Sequence, residues 1–287
     1  RCLVGSEMCI RDRFGIIWIG TKDGLNRYNG TDFYVFRPVK GDKNSLYNNN
    51  IGTICGDKQG HIYIRCKYAV VEYDIKKNTF HTIRDNDIQA ITYDNARLWV
   101  CTRDSLFTYN RVEDRLDYYY NLEGVRMSCV TEDSAGNLYV GTMNNGLYMI
   151  DHNKKWLNYF PKKDITCIYE DSKKSIWVGT KDDGLFRLDR NGGITNYGTA
   201  PHQNMLSSSY VRCVVEDNLG NYWIGTFKGL DKLDVTTGTF THYSKDNKPY
   251  SLSNSSIICM MKDRQGTFWI GTYYGGVNLF NPDYEIY

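Results

Sequence analysis

The chain has little of what several protein classes depend on. Among its 287 residues there are only five prolines and five histidines, and the formal net charge is +2. No basic stripe of the kind that nucleic-acid-binding proteins carry is visible. The apolar runs are short, such as residues 14–20, and none approaches the roughly 18 residues of a membrane-spanning helix. The composition therefore predicts neither nucleic-acid binding nor direct membrane contact.

The nine cysteines form no metal-binding or disulfide pattern. No Cys-x-x-Cys pair is present, so a zinc site is not predicted. The odd number also fits poorly with a disulfide framework. Four cysteines share one repeat position, four residues before an aspartate, and we interpret them as small apolar core residues. They are Cys129, Cys167, Cys213 and Cys259.

Catalytic patterns are equally scarce. The histidines are scattered along the chain, and their spacing supports neither a Ser-His-Asp arrangement nor a His-Glu-x-x-His helix. His61 opens a predicted second strand, His81 and His242 fall in predicted fourth strands, and His202 lies in a long connection. The sequence thus predicts no catalytic residue, no metal site and no cofactor.

What the chain does have is one motif repeated seven times. In its full form the motif is Trp-Ile-Gly-Thr, and the copies begin at Trp18, Tyr63, Trp99, Tyr139, Trp177, Trp223 and Trp269. Their mean spacing of about 42 residues is the period of a four-stranded propeller blade. Each unit contains four short apolar or alternating segments separated by turn signals. The sequence therefore predicts an all-β fold, a seven-bladed β-propeller of four-stranded antiparallel blades.

Each part of the repeat has a physical role in this prediction. An Asp-x-x-Gly-type turn, such as 217–220, joins the first and second strands, because Asp accepts bonds from turn amides and Gly tolerates positive φ. The motif's aromatic residue supplies buried surface, and its Gly allows a neighbouring sheet to approach closely. In the long connections 37–50, 198–209 and 244–256, a leucine is expected to pin the loop to a blade. These leucines are Leu46, Leu206 and Leu252.

The prediction places a single propeller domain at 14–287. Its last four residues, 284–287, match the fourth strand of the last blade. Residues 1–13 lack most of the repeat's character, although 8–15 can be aligned with 259–266. Two interpretations of 1–13 remain open, a non-native segment or a divergent first strand.

These repeats resemble those of the two-component regulator propeller family. The resemblance rests on "WIGTKDGLNRYNGTDFYVFRP" from Trp18, "NSLYNNNIGTI" from Asn44 and "SLSNSSIICMMKDRQGTFWIGT" from Ser251. It implies the periplasmic sensor region of a Bacteroidetes-type hybrid histidine kinase, in which adjacent propeller and sandwich domains precede a membrane helix and the kinase. It also implies a homodimeric parent and, in many members, an oligosaccharide ligand. Blades 2 and 3 depart from the pattern, with Arg65-Cys66 in place of Gly-Thr and Cys101 in place of Gly.

The predicted ligand-binding residues lie in the loops between second and third strands, which vary while the strands repeat. Such variation is typical of a scaffold that presents different contacts, although ordinary solvated turns have the same appearance. Aromatic, amide and charged groups there suit sugar rings and hydroxyls. The candidates are Lys22, Asp23, Lys67, Tyr68, Arg103, Asn144, Asn145, Lys181, Asp182, Lys228, Tyr273 and Tyr274.

The sequence favours a non-catalytic sensor propeller that responds to glycan-derived oligosaccharides, with kinase activity confined to a longer parent. Two alternatives remain open at this stage. One is a propeller lyase, which no histidine in a second-to-third loop supports. The other is a protein-interaction scaffold without a small ligand.

Overall fold

The structure, a computed structural model, describes residues 6–12, 15–198, 204–248 and 251–282. Within these ranges it contains 27 β-strands and no α-helix. The strands form seven antiparallel sheets that are the blades of a seven-bladed β-propeller. The predicted fold is therefore confirmed, and the blades are numbered here in chain order.

The first four sheets are formed by strands between Ser6 and Tyr159. Blade 1 comprises β1 (Ser6–Arg11), β2 (Ile17–Thr21), β3 (Gly24–Tyr28) and β4 (Phe33–Phe36). Blade 2 comprises β5 (Ile51–Gly56), β6 (His61–Cys66), β7 (Ala69–Asp74) and β8 (Thr79–Arg84). Blade 3 comprises β9 (Ala90–Asp94), β10 (Arg97–Cys101), β11 (Ser105–Asn110) and β12 (Arg115–Asn121). Blade 4 comprises β13 (Arg126–Glu132), β14 (Leu138–Met143), β15 (Leu147–Ile150) and β16 (Trp156–Tyr159).

Three sheets follow. Blade 5 comprises β17 (Ile165–Glu170), β18 (Ile176–Thr180), β19 (Leu185–Leu188) and β20 (Ile194–Tyr197). Blade 6 comprises β21 (Val211–Glu216), β22 (Tyr222–Thr226), β23 (Leu230–Leu233) and β24 (Phe240–Tyr243). Blade 7 comprises β25 (Ile257–Lys262), β26 (Phe268–Thr272) and β27 (Gly276–Phe280). The fourth strand predicted at 284–287 lies outside the described residues.

The contacts divide the chain into two compact units. The first contains Glu7–Met143 and Tyr148–Asn158, and the second contains Asn144–Leu147 and Tyr159–Tyr287. In the first unit, the first strands of successive blades are in contact from β5 to β9 and from β9 to β13. In the second unit, β17 contacts β21 and β21 contacts β25. Each unit is thus built by packing the first strands of successive blades side by side.

The segment 1–13 belongs partly to this architecture. β1 pairs with β2 as the first strand of blade 1. The carboxylate of Asp12 accepts hydrogen bonds from the amide of Ile16 and the indole of Trp18. These bonds match those at the turns of blades 5 to 7. Whether 1–13 is non-native or divergent stays a prediction.

The aromatic residue of the motif lies in the buried core of every blade except blade 4, where Tyr139 is half-buried. Trp18, Trp177 and Trp223 are completely buried, and Trp99 and Tyr63 nearly so. Each is part of a second strand whose neighbours are also buried, because both faces of an inner strand pack against other sheets. Aromatic side chains of this size dominate the hydrophobic free energy of a small sheet.

The glycine of the motif lies against side chains of its own first strand and of the next blade, with no room for a Cβ. A Cβ placed on Gly20 would lie 2.5 Å from Cγ2 of Ile51, the first residue of blade 2's first strand. A Cβ on Gly179 would lie 2.5 Å from Sγ of Cys167 and 2.9 Å from Cγ1 of Val211 on blade 6. The predicted role of this glycine is confirmed, because any side chain would push the adjacent strand away.

The turn aspartate joins the first two strands to the core. In blade 5, Oδ1 of Asp171 accepts the amide of Ser175 at 2.8 Å, and Oδ2 accepts the indole Nε1 of Trp177 at 2.9 Å. The same indole bond occurs in blades 1, 6 and 7 at 2.9, 3.0 and 3.1 Å. The aspartates are therefore structural, as the turn prediction proposed.

The blades without a motif tryptophan keep this carboxylate occupied by another donor. In blade 2, whose motif begins with Tyr63, the imidazole Nδ1 of His61 contacts Oδ2 of Asp57. In blade 4, the amide Nδ2 of Asn137 donates to Oδ2 of Asp133 at 2.9 Å. The residue just after the turn glycine thus replaces the missing indole.

The leucines of the long connections are pinned as predicted. Leu46 is almost completely buried and shares a cluster with Trp18 and Leu25 of blade 1. Leu206 shares a cluster with Trp177 and Leu185 of blade 5. Leu252 likewise packs against the cluster of Trp223 and Leu230 in blade 6. Each connection is therefore held on the blade that it has just left.

The cysteine prediction is also confirmed for the described part of the chain. Seven cysteines there are free thiols in buried or half-buried positions. Burial raises the pKa of the Cys66 and Cys129 thiols to about 12. Such thiols remain protonated near neutral pH and are poor nucleophiles and metal ligands.

Candidate functional site

The threonine that ends the motif fixes the loop between the second and third strands. Its Oγ1 donates to a glycine carbonyl just beyond the loop, at 3.0 Å from Thr21 to Gly24 and 2.7 Å from Thr180 to Gly184. The same hydroxyl of Thr180 accepts the amide of Asp183 at 3.0 Å. A side chain inside the sheet thus sets the loop backbone, and the loop's own side chains can vary.

The connection arriving at each first strand lies beside that loop. The amide of Lys67 donates to the carbonyl of Asn50 at 2.8 Å in blade 2. In blade 6, the amide of Phe227 donates to the carbonyl of Tyr210 at 3.0 Å. We call this side of each blade, comprising the second-to-third loop and the arriving connection, the loop edge. The same backbone bond occurs in blades 5 and 7, so in these four blades the two kinds of loop lie at one edge.

All twelve candidate residues lie on the loop edges. Asn145 is half-buried and the other eleven are exposed: Lys22, Asp23, Lys67, Tyr68, Arg103, Asn144, Lys181, Asp182, Lys228, Tyr273 and Tyr274. Their exposure is compatible with ligand contact, and ligand binding by them stays a prediction.

Some of these side chains already engage local partners. The guanidinium of Arg37 forms a bidentate pair with Asp23, at 3.2 Å from Nε and 2.5 Å from Nη2. This bond raises the pKa of Arg37. In blade 2, the ammonium of Lys67 lies 6.0 Å from the ring centroid of Tyr68. Both pairs are exposed, so they contribute little to folding stability.

Asp164 brings the loops beside blades 4 and 5 together within the second unit. Its Oδ1 accepts the amide of Asn144 at 2.6 Å, and its carbonyl accepts the amide of Lys181 at 3.1 Å. Beside it, Nζ of Lys163 lies 2.6 Å from Oδ1 of Asp183. The side chain of Asp164 thus holds the backbone of Asn144, and its carbonyl group holds the backbone of Lys181.

Sequence reasoning missed three residues at the loop edge of blade 6. Phe227 is about half exposed, and its ring stacks on that of Tyr210. The guanidinium of Arg212, the second residue of β21, lies over both rings. Phe227 was visible as an aromatic residue in a variable loop. Nothing in the repeat pattern indicates a role for Arg212, because the residues of a first strand are expected to pack in the core.

The described histidines lie away from the second-to-third loops. His61 contacts the turn aspartate of blade 2, and His152 lies in a turn between β15 and β16. His81 on β8 and His242 on β24 pair with Asp114 and Asp231. Among the described residues, no group of three or more His, Cys, Asp or Glu side chains could hold a metal ion. His202 lies outside them.

Two cavities adjoin the sheets. One of about 300 Å³ lies in the first unit, beside the turns between first and second strands, and includes Asp12, His61 and Asp94 in its wall. The other, about 660 Å³, lies in the second unit between blades 6 and 7 and is lined by Trp223, His242 and other residues. None of the twelve candidate residues lines either cavity.

The two-component regulator propeller model matches three stretches of the chain, at residues 159–182, 205–228 and 251–274. The resemblance inferred from the sequence is thereby confirmed, and in blades 6 and 7 the matched stretches run from the arriving connection through the loop-edge residues. No curated protein sequence matches the chain.

The chain is also similar to solved structures of sensor ectodomains. One is the extracellular domain of a protein described as a hybrid two-component system from B. thetaiotaomicron, at 25% identity and a TM-score of 0.83 over 97% of this chain. A second such domain from the same bacterium is 22% identical, with a TM-score of 0.82 over 96% of this chain. The chain spans only 40% and 38% of those two domains. The likeness supports a sensor propeller and is consistent with an extracytoplasmic location.

A streptogramin B lyase shares the fold, with a TM-score of 0.77 and 14% identity over 98% of this chain and 95% of its own. At this identity the likeness concerns the fold alone.

In the described part of the chain, no helix has the length and apolar character needed to cross a membrane.

Proposed function

We propose that this chain is a non-catalytic, ligand-binding propeller of the periplasmic part of a hybrid two-component sensor. In this proposal it responds to oligosaccharides released from glycans. The parent would carry the kinase, would be a homodimer, and would place adjacent propeller and sandwich domains next to this one. The similarity to extracellular domains of hybrid two-component systems supports the proposal.

The observation that carries the proposal is that residues within the strands fix the loop backbone, while the side chains of the loops vary. Thr180 and its equivalents hold the loop backbone from inside the sheet, whereas the loop sequences differ from blade to blade. A scaffold that keeps its backbone while changing its exposed side chains is suited to recognition.

Signalling in this proposal follows from differential affinity. A ligand shifts the receptor between two arrangements of its domains only by as much as it binds one arrangement better than the other. The loop edges would then contribute contacts to the ligand or to a neighbouring domain in the favoured arrangement.

Thermal denaturation of the purified chain in the presence of an oligosaccharide panel tests the proposal. We expect one sugar class to raise the melting temperature in a concentration-dependent way, because a ligand that binds only the folded state stabilises it. Mass spectrometry of the same mixtures should recover the sugars unchanged. A chemically altered product would contradict the non-catalytic assignment, and the absence of any thermal shift would argue against a ligand-binding role.

A further inference from the structure

Exposed aromatic side chains of the second-to-third loops are concentrated in blades 6 and 7. Phe227 is 51% exposed, Tyr273 43% and Tyr274 60%. Among the other described second-to-third loops, only that of blade 2 has an aromatic residue, Tyr68. Large apolar rings left in water gain nothing for folding. Rings clustered within a polar rim mark an interaction site more often than a random surface does.

The rings of blade 6 are ordered around a cation. The Phe227 and Tyr210 ring centroids are 6.2 Å apart with an interplanar angle of 13°. Cζ of Arg212 lies 4.6 Å from the Tyr210 centroid and 5.2 Å from that of Phe227. A guanidinium over two ring faces is a favourable cation–π arrangement.

Hydrogen bonds join this group to the rings of blade 7. Nη1 of Arg212 donates to Oγ of Ser256 at 2.9 Å and to the carbonyl of Ile257 at 3.1 Å. The carbonyl of Ser256 accepts the amide of Tyr273 at 2.9 Å. Tyr273 and Tyr274 meet edge to face at a centroid distance of 4.3 Å. We call Tyr210, Arg212, Phe227, Tyr273 and Tyr274 together the aromatic patch.

The patch carries positive charge. Within the described residues, neither Arg212 nor the exposed Lys228 beside Phe227 has a carboxylate partner. The equivalent of Arg212 in blade 5 is Thr166, whose hydroxyl donates to the carbonyl of Val211 at 2.5 Å. A hydroxyl group is thus sufficient for the hydrogen bond to the next blade. The guanidinium of Arg212 adds a positive charge that the hydrogen bond between the blades does not require.

We propose that the aromatic patch binds an acidic oligosaccharide, in a deepening of the proposed function on which this inference rests. The apolar C–H face of a sugar ring packs on the exposed faces of Phe227 and Tyr274. A carboxylate or sulfate of the same or the next sugar lies against Arg212 and Lys228. Aromatic faces are electron-rich and attract polarised C–H groups, and a guanidinium accepts an oxyanion through two donors.

The occupant follows from the combination of rings and charge. Rings alone would suit a neutral sugar or an apolar peptide, and the two cations alone would suit any anion. A protein partner would need a surface of about 800 Å² on this chain. A few half-exposed rings beside two cations are a small site and match a short oligosaccharide better than a protein surface.

Binding of the purified chain to immobilised oligosaccharides, neutral and acidic, tests the inference. The set includes tetragalacturonate and its methyl ester, which share the same sugars but differ in charge. Wild-type protein should bind acidic members more strongly than their neutral counterparts, and sodium chloride should weaken that binding. Phe227→Ala, Tyr274→Ala and Lys228→Gln should each weaken it about tenfold, because each removes one stacking or charged contact.

Two further variants separate recognition from folding. Arg212→Thr copies the residue of blade 5, so it keeps a hydroxyl for the inter-blade tie while removing the charge. It should reduce binding with little change in melting temperature. Tyr118→Ala removes a 64% exposed ring on β12 of blade 3 and should bind as wild type does.

The outcomes are distinct for the two proposals. Sugar binding that survives Phe227→Ala, Tyr274→Ala and Arg212→Thr overturns the aromatic patch and leaves the proposed function standing. Preference for neutral sugars, or capture of peptide ligands through the same residues, also overturns the inference. If wild-type protein binds no sugar, both proposals fail.

Discussion

The hydroxyl of Tyr222 donates to Oδ2 of Asp171 at 2.7 Å, and the same oxygen accepts the indole of Trp177. The tyrosine belongs to blade 6, and the aspartate and tryptophan belong to blade 5. One buried carboxylate therefore closes its own hairpin, orients its own blade's anchor and bonds the next blade. Burial and the neighbouring Asp171 carboxylate raise the pKa of Tyr222.

Asp171→Asn should destabilise the protein more than most single substitutions. The asparagine amide presents only one oxygen, so either the backbone amide of Ser175 or the indole of Trp177 loses its acceptor. An unsatisfied buried donor costs about 1–3 kcal/mol, and we expect a loss of about 3 kcal/mol. Urea unfolding followed by tryptophan fluorescence measures it. Asp182→Ala, at an exposed loop position, should leave the midpoint unchanged, and an equal effect of the two changes would contradict the role of Asp171.

Gly179→Ala should separate blade 5 from blade 6. The new methyl group would meet Cys167 and Val211 closer than van der Waals contact allows. Overpacking of this kind costs about 1–3 kcal/mol. The matched control is Gly198→Ala, whose Cβ would meet its nearest neighbour at an ordinary 3.6 Å. Thermal denaturation should show a lower melting temperature only for Gly179→Ala.

Leu46→Ala should release the connection 37–50 from blade 1. Loss of a completely buried leucine costs about 2–5 kcal/mol in a packed core. The loop has few other buried residues, so we expect local opening rather than global unfolding. Limited proteolysis should cut within 37–50 faster in this variant, while Tyr47→Ala, at an exposed neighbour, should not change the rate. Identical cleavage of the two variants would show that Leu46 does not hold the loop.

The cysteines of the strands should resist alkylation in the folded protein. Burial raises the pKa of the Cys66 thiol to about 12, so at pH 8 only about one molecule in ten thousand carries the reactive thiolate. Peptide mass spectrometry after iodoacetamide treatment should find Cys66 and Cys129 unmodified in buffer and modified in urea. Rapid modification in buffer would mean that the inner strands are more open than the structure shows.

Much of the fold could be predicted from the sequence because the repeat encodes local contacts. The Asp-x-x-Gly turn, the buried aromatic and the close-packing glycine lie within about 12 residues of one another, so a single copy reveals them. Repetition then fixed the strand number and the period. The twelve candidate residues lie in the loops where the repeat pattern put them, and their role as ligand contacts stays a prediction.

What could not be predicted are contacts between repeats. The indole of Trp99 lacks a turn aspartate and donates instead to Glu132 of blade 4 at 2.7 Å. Arg111 of blade 3 reaches Glu72 of blade 2 at 3.0 Å. Arg212 likewise shows its role only when its side chain is seen over rings from two other segments. Each depends on side chains more than 30 residues apart or on the path of a long side chain, which the period alone does not specify.

In five of the blades a threonine holds the loop from within its strand, and this arrangement has an evolutionary consequence. Mutations in the exposed tips cost the sheets almost nothing, so these positions can diversify while the repeat stays intact. The loop between the second and third strands of one blade should then be exchangeable for that of another, with the threonine and the following glycine as the boundaries of the exchanged segment. Exchange of such segments would change the exposed side chains of a loop without any change in the strands that hold it.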